Sequence, residues 1–356
     1  MAQNFNNILK DFIIETSVPC RIDMGGTLDL SIFYNPLRHL SPCTANIAFD
    51  LRTVVKLLPY HSGRVKVSSR GFESAEYATG TAPFDHPLGL MFATAEYFQL
   101  DGAHVVIESE SPPRSALGGS SAALVAMTAA ILMASDNLLI TPETRRCIAL
   151  LAHRIEESVA GVSCGRQDHL AAAFGGVNAW YWLPESKGFD YKKTTLCKRH
   201  AVHELRQHIL LAYCGVPHVS KDVNGRWVRQ FLTGEHRSHW HNIIYLTQKF
   251  IDALAGCNYK EAAKAMQNET ALRREMTPDV IDEIGVKLVE AAREYACGSR
   301  FTGAGGGGCI WALGDTENID RLRPLWTDIL SERAEASLLE FDIDTEGLTG
   351  SRSKIK

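Results

Sequence analysis

The sequence predicts an α+β protein of two domains that share a cleft, and three observations predict it. The chain has 356 residues, whereas a single core stops growing at roughly 250 to 300. Strand-like and helix-like segments alternate through the first half, and helical runs dominate the second before two further strand-like segments. Three glycine-rich turns interrupt this pattern at the edges of regular segments, where binding loops tend to sit.

Extended segments are expected around residues 44–58, 64–69 and 104–108, followed by apolar helical runs over 121–133 and 145–159. The charged stretch 185–199 reads as the weakest part of the core. A strand over 208–213 follows it, so the boundary falls near residue 200, with domains over 1–200 and 201–356. Helices are then expected over 240–255, 259–268 and 280–297, a strand over 309–313, a helix over 317–333 and a strand over 337–342.

Composition narrows the function. Hydrophobic content of 45% with 22% charged residues is that of an ordinary globular chain. A net charge of -4 supplies no basic footprint, so neither nucleic acid nor a membrane surface is an expected partner. The apolar stretch 122–134 is too short to cross a bilayer and the N-terminus lacks the regions of a secretory signal, so a cytoplasmic protein is expected. Nine scattered cysteines without a C-x-x-C pair read as reduced, mostly buried thiols. His236, His239 and His241 lack a carboxylate or cysteine frame and read as a surface loop, not a metal site.

Chemistry concentrates in a few segments. Pro112-Pro-Arg-Ser-Ala-Leu-Gly-Gly-Ser-Ser-Ala-Ala-Leu opens directly into an apolar helix, where free N–H groups and the positive end of the helix dipole favour an anion. Ser120 or Ser121 could cap that helix or reach a metal between phosphates, although for this segment taken alone a plain capped helix after a loop is the favoured reading. Arg300-Phe-Thr-Gly-Ala-Gly-Gly-Gly-Gly-Cys-Ile-Trp carries five glycines between Gly303 and Gly308, costly in entropy unless the backbone adopts unusual dihedrals or touches a ligand. Pro19-Cys-Arg-Ile-Asp-Met-Gly-Gly-Thr-Leu-Asp sets Arg21, Asp23 and Asp29 around a glycine pair, in either a functional turn or a solvated hairpin. Asp168 falls in the first turn of a helix, where a carboxylate suits the dipole whether or not it acts as a base. His218, Ser220 and Lys221 follow a strand-like run and either face the cleft or lie in a solvated loop.

The order Pro-x-Arg-Ile-x-x-Gly-Gly, Pro-Pro-x-x-x-Leu-Gly-Gly-Ser-Ser-Ala-Ala, Gly-x-x-x-Gly-x-x-Asp and Thr-Gly-Ala-Gly-Gly-Gly-Gly resembles the GHMP kinases, the superfamily of galactokinase, homoserine, mevalonate and phosphomevalonate kinases. The resemblance implies an N-terminal domain like ribosomal protein S5 domain 2 and a ferredoxin-like C-terminal domain. It implies ATP and Mg²⁺ as cofactors, bound by Pro113, Leu117, Gly118, Gly119, Ser120, Ser121 and Ala122 of the serine loop and by Gly303, Ala304, Gly305 and Gly306 of the glycine run. Ser121 and Glu157 match the magnesium ligands. Asp168 matches the residue that orients or deprotonates the acceptor hydroxyl, with Arg21 the cation beside it, and Thr27, Asp29, Gly165, His218 and Lys221 are the candidates for the acceptor.

Departures from the family bear on the substrate. Ala116 stands where many members carry glycine, and Gly25-Gly26-Thr27-Leu28-Asp29 lacks the glutamate and histidine of ordinary galactokinases, which is closer to the heptose-phosphate and fucose kinase branch. The implied reaction is transfer of the γ-phosphoryl group of ATP to a hydroxyl, the anomeric one, of a sugar or sugar phosphate, by a monomer or homodimer. A mevalonate-type kinase or a catalytically silent sugar sensor on the same fold are the alternatives. A dinucleotide-dependent oxidoreductase is remote, because no Gly-x-Gly-x-x-Gly opens a helix after a first strand.

Overall fold

The computed structural model describes residues 5–135, 138–161, 164–186, 189–217 and 223–355. Among the described residues, eight strands form one sheet and four form another. In chain order the strands are β1 (Phe12–Met24), β2 (Cys43–Pro59), β3 (Arg64–Ser69), β4 (Ala75–Ala78), β5 (Ala103–Ser109), β6 (Val177–Ser186), β7 (Phe189–Cys197), β8 (Ile209–Tyr213), β9 (Gly298–Phe301), β10 (Cys309–Leu313), β11 (Ser337–Leu338) and β12 (Thr349–Lys354).

The first sheet runs β12-β1-β2-β5-β3-β4, with β6 and β7 extending from the early half of β2. All its pairs are antiparallel except β3 with β5. Within the charged stretch 185–199, β7 pairs with β6, Thr194 and Thr195 registering against Ala179 and Asn178, and Tyr191 and Leu196 are buried while Lys192, Lys193, Lys198 and Arg199 are exposed. The helix Gly119–Ser135 packs beneath this sheet. Its residues are Gly, Ser, Ala and large apolar types almost throughout, and it is buried on nearly every side, as a helix without a polar face must be.

The second sheet is antiparallel, β11-β8-β10-β9, and its helices are Val223–Leu232, Arg237–Ala255, Tyr259–Met276, Glu283–Glu294 and Thr316–Leu330. The helix expected from residue 280 begins at Glu283, because Asp282 caps it through Gly285 N–H at 3.0 Å. His239 and His241 lie in the helix Arg237–Ala255 rather than in a loop, and His239 Nε2 lies 3.2 Å from Glu275. An apolar cluster including Ile22, Ile47, Leu211, Phe250 and Trp311 fills the space between the two sheets. The division at residue 200 falls just ahead of β8, yet β12 returns to pair with β1, so the end of the chain is part of the first sheet.

Candidate active site

β1 delivers Arg21 and Asp23 to the junction of the sheets and then enters a tight turn. Gly25 sits at φ +73° with Thr247 filling the place of a side chain, so only glycine fits. Thr27 follows at φ +79°, a left-handed conformation that a β-branched residue rarely adopts, and its hydroxyl donates to Asn224 at 3.2 Å. Such strain persists where the surroundings fix it, and it marks functional turns.

The serine loop is bent by Arg114, Ala116 and Gly118, all at positive φ. Its bend aims the N-terminus of the helix Gly119–Ser135 at a cavity of about 700 Å³ that Gly118, Gly119, Ser120, Gly303, Arg21 and Asp168 help to line. Arg21 fastens the bend, donating its backbone N–H to the Leu117 carbonyl at 3.1 Å and Nη1 to the Ala116 carbonyl at 2.7 Å. The other edge of its guanidinium grips Asp168 in a two-pronged pair, Nε to Oδ1 at 2.8 Å and Nη2 to Oδ2 at 2.7 Å. Burial alone would lower the pKa of Arg21, but the Asp168 and Asp23 carboxylates hold it above its ordinary value.

Asp29 lies 4% exposed on the far side of the cavity, and its Oδ2 accepts the Gln167 backbone N–H at 3.0 Å. A side chain at Gly165 would overlap that carboxylate, so glycine is required there. Burial raises the Asp29 pKa from 3.8 to about 6. Thr27, Asp29 and Gly165 therefore do meet around one wall, whereas His218 and Lys221 lie outside the described residues.

Two expectations need correction. Glu157 is exposed; the carboxylate that faces the serine loop is Glu156, which accepts from Ser121 Oγ at 2.8 Å and Ser120 Oγ at 3.2 Å. One residue along a helix rotates a side chain by about 100°, and the apolar pattern of Ile148, Ala152 and Ile155 puts position 156 on the inner side. His169 Nε2 lies 2.7 Å from the same carboxylate. Burial would raise the Glu156 pKa, but the adjacent His169 imidazole and hydrogen bonds from Ser121 and Ser120 hold it below its ordinary value.

The glycine run differs too. Only Gly303 and Ala304 line the cavity; the Gly305 and Gly306 amides donate to the carbonyls of Thr302 and Val280, and side chains at 305 or 308 would strike Val280 and Ser115. Those two glycines are demanded by packing against other backbone. Leu117 is buried beneath the loop and Ala122 lies inside the helix, so neither side chain faces the cavity. Sequence reasoning missed Glu156, His169 and Asn224, and also Arg70, Phe72, Leu88 and Met91, which line the cavity beyond the serine loop from segments without any motif.

Residues 87–176, which hold the serine loop, Glu156 and Asp168, match the family model described as GHMP kinases N terminal domain. This segment is a GHMP kinase N-terminal domain. A galactokinase of Mannheimia succiniciproducens is 24% identical to this kinase over 265 residues, spanning 65% of the chain and 66% of that protein. A mevalonate kinase of Pyrococcus abyssi is 26% identical over 330 residues, 85% of the chain and 88% of that protein. Among solved structures, a D-glycero-D-manno-heptose 1-phosphate kinase of Bacteroides thetaiotaomicron superposes with a TM-score of 0.71 at 19% identity, covering 95% of this chain and 98% of that one. The Lactococcus lactis galactokinase complexed with galactose gives 0.72 at 17%, covering 98% of each. At these identities the superpositions establish the fold of the kinase across nearly its whole length.

Proposed function

We propose that this kinase transfers the γ-phosphoryl group of ATP to a hydroxyl, the anomeric one, of a sugar or sugar phosphate. The observation that carries the reading is the Arg21–Asp168 pair, set in one cavity between the helix N-terminus at Gly119 and the wall of Thr27 and Asp29. The triphosphate would lie at the serine loop, where amides and the helix dipole favour anions. The base would extend toward Phe72, Leu88 and Met91.

Glu156, Ser120 and Ser121 supply hard oxygen donors, one of them ionised, which is the donor set Mg²⁺ takes. Bound there, the ion would neutralise charge on the phosphates. Asp168, held by Arg21, would align the acceptor hydroxyl and take its proton as the oxygen bonds to the γ-phosphorus and the bond to ADP breaks. On the acceptor wall, a carboxylate, a hydroxyl and the Asn224 amide suit an acceptor rich in hydroxyls better than a carboxylic acid such as mevalonate, which Asp29 would repel.

The test is ADP release from Mg·ATP across hexoses, deoxyhexoses, heptose 7-phosphates and mevalonate. Turnover with a sugar supports the reading; turnover with mevalonate alone moves the protein to the isoprenoid kinases, and sugar binding without ADP release makes it a sensor.

Asp29 gives a prediction of its own. Its pKa is higher folded than unfolded, so the folded state binds more protons between pH 3.8 and about 6, and stability contributed by this site falls as pH rises through that window. Asp29→Asn removes the charge but keeps an acceptor for Gln167. The variant should gain about 3 kcal/mol over the parent at pH 7.5, and lose that advantage near pH 4. Its acceptor KM should rise at the same time. Thermal melts across pH check the first part, and an equal gain at both pH values would rule it out.

A further inference from the structure

Between the two sheets lies a chain of buried ions that stability does not explain. Asp23, Glu269, Arg273 and Arg300 all have fully buried side chains. Glu269 accepts from Arg273 Nε at 2.9 Å and from Arg300 Nε at 3.0 Å, and Arg300 Nη1 reaches Asp23 Oδ2 at 3.0 Å. Burying such groups costs several kcal/mol each, and apolar replacements of similar volume are often as stable.

What the chain touches is informative. Arg273 Nη2 donates to the Gly26 carbonyl in the acceptor turn at 2.6 Å. Asp23 Oδ1 accepts the Gly303 N–H, at the head of the glycine run, at 2.7 Å. The same oxygen lies 3.8 Å from Arg21 Nη1, the nitrogen that fastens the serine loop. Gly26 packs so closely that a side chain there would stand 2.4 Å from Asp23 Oδ2. One carboxylate therefore touches the acceptor turn, the glycine run and the arginine that holds Asp168.

We propose that Asp23 is a positioning residue, which fixes the Gly303 end of the glycine run and the guanidinium of Arg21 in one frame and so sets Asp168 against the transferred phosphoryl group. The inference rests on the kinase reading above. Asp23→Asn keeps an acceptor for Gly303 but loses the charge that faces Arg21 and Arg300. Glu269→Gln breaks the same buried chain one link away, without touching Arg21 or Gly303.

Both variants should melt at lower temperature than the parent. Asp23→Asn should in addition lose about tenfold or more in kcat, with ATP Kd, measured by titration calorimetry without acceptor, within about threefold. Glu269→Gln should keep kcat within about threefold. Equal losses of kcat in the two variants would assign Asp23 to stability and overturn the proposal. If Asp23→Asn does not fold, Asp23→Glu carries the test, since the longer arm keeps the charge but displaces Gly303, and should raise ATP Kd about fivefold or more. An unchanged Kd, or failure of both Asp23 variants to fold, overturns it as well. Turnover of the parent with its acceptor tests the kinase reading separately.

Discussion

Asp168→Asn should lower kcat by about 10²- to 10⁴-fold, the range that a positioned acid or base supplies, while ATP Kd stays within about threefold. Asparagine has the shape of aspartate and can still accept one hydrogen bond from Arg21. It cannot take a proton from the acceptor, and its amide turns a donor toward a hydroxyl that needs an acceptor. Because Asp168 is a quarter exposed and Arg21 retains the Ala116 carbonyl and the nearby Asp23, the folded enzyme should survive the change. Steady-state ADP release with the preferred acceptor reads kcat, and calorimetry without acceptor reads ATP binding. A kcat within about threefold of the parent would remove Asp168 from the chemical step, and only the positioning role of the loops would then remain.

The fold and the site were legible to different degrees, for physical reasons. Strands with strong β-branched and apolar content, such as β3 and β10, and helices with an apolar run, such as Gly119–Ser135, stand where periodicity puts them. The β12 strand, Thr-Gly-Ser-Arg-Ser-Lys, is exposed throughout and carries no apolar alternation, so nothing in its sequence announces that it pairs with β1. The helix Val223–Leu232 buries only Val223, Trp227 and Phe231, a four-residue spacing that a short polar stretch conceals.

At the site, composition pointed to turns that line one cavity but not to what each residue packs against. The glycine run reads as backbone that takes unusual dihedrals or touches a ligand, and of its residues Gly303 and Ala304 line the cavity. Gly305 and Gly308 answer to Val280 and Ser115, partners distant in sequence that no local pattern reveals. Arg300, embedded in the same motif, points away from the cavity into the buried ion chain. Choosing between Glu156 and Glu157 needed the face of the helix. The phase set by Ile148, Ala152 and Ile155 was present in the sequence and would have chosen Glu156.

That choice leads to a paired prediction. If Glu156 holds the ion as proposed, Glu156→Gln should lower kcat by about 10²-fold or more at physiological Mg²⁺ and raise the Mg²⁺ concentration for half-maximal rate, because an ion that neutralises phosphate charge contributes several kcal/mol. Glu157→Gln, on the exposed side, should change neither by more than about twofold. Glutamine can still accept from Ser121, so the serine loop and the melting temperature should be nearly kept, which separates loss of the ion from loss of the fold. The readout need not depend on turnover: Mn²⁺ binding to the ATP complex, followed by electron paramagnetic resonance, should weaken in Glu156→Gln alone. If Glu157→Gln carries the larger loss, the helix is turned by one residue from this arrangement, and the hydrogen bonds of Ser120 and Ser121 to Glu156 then serve only to tie helix to loop.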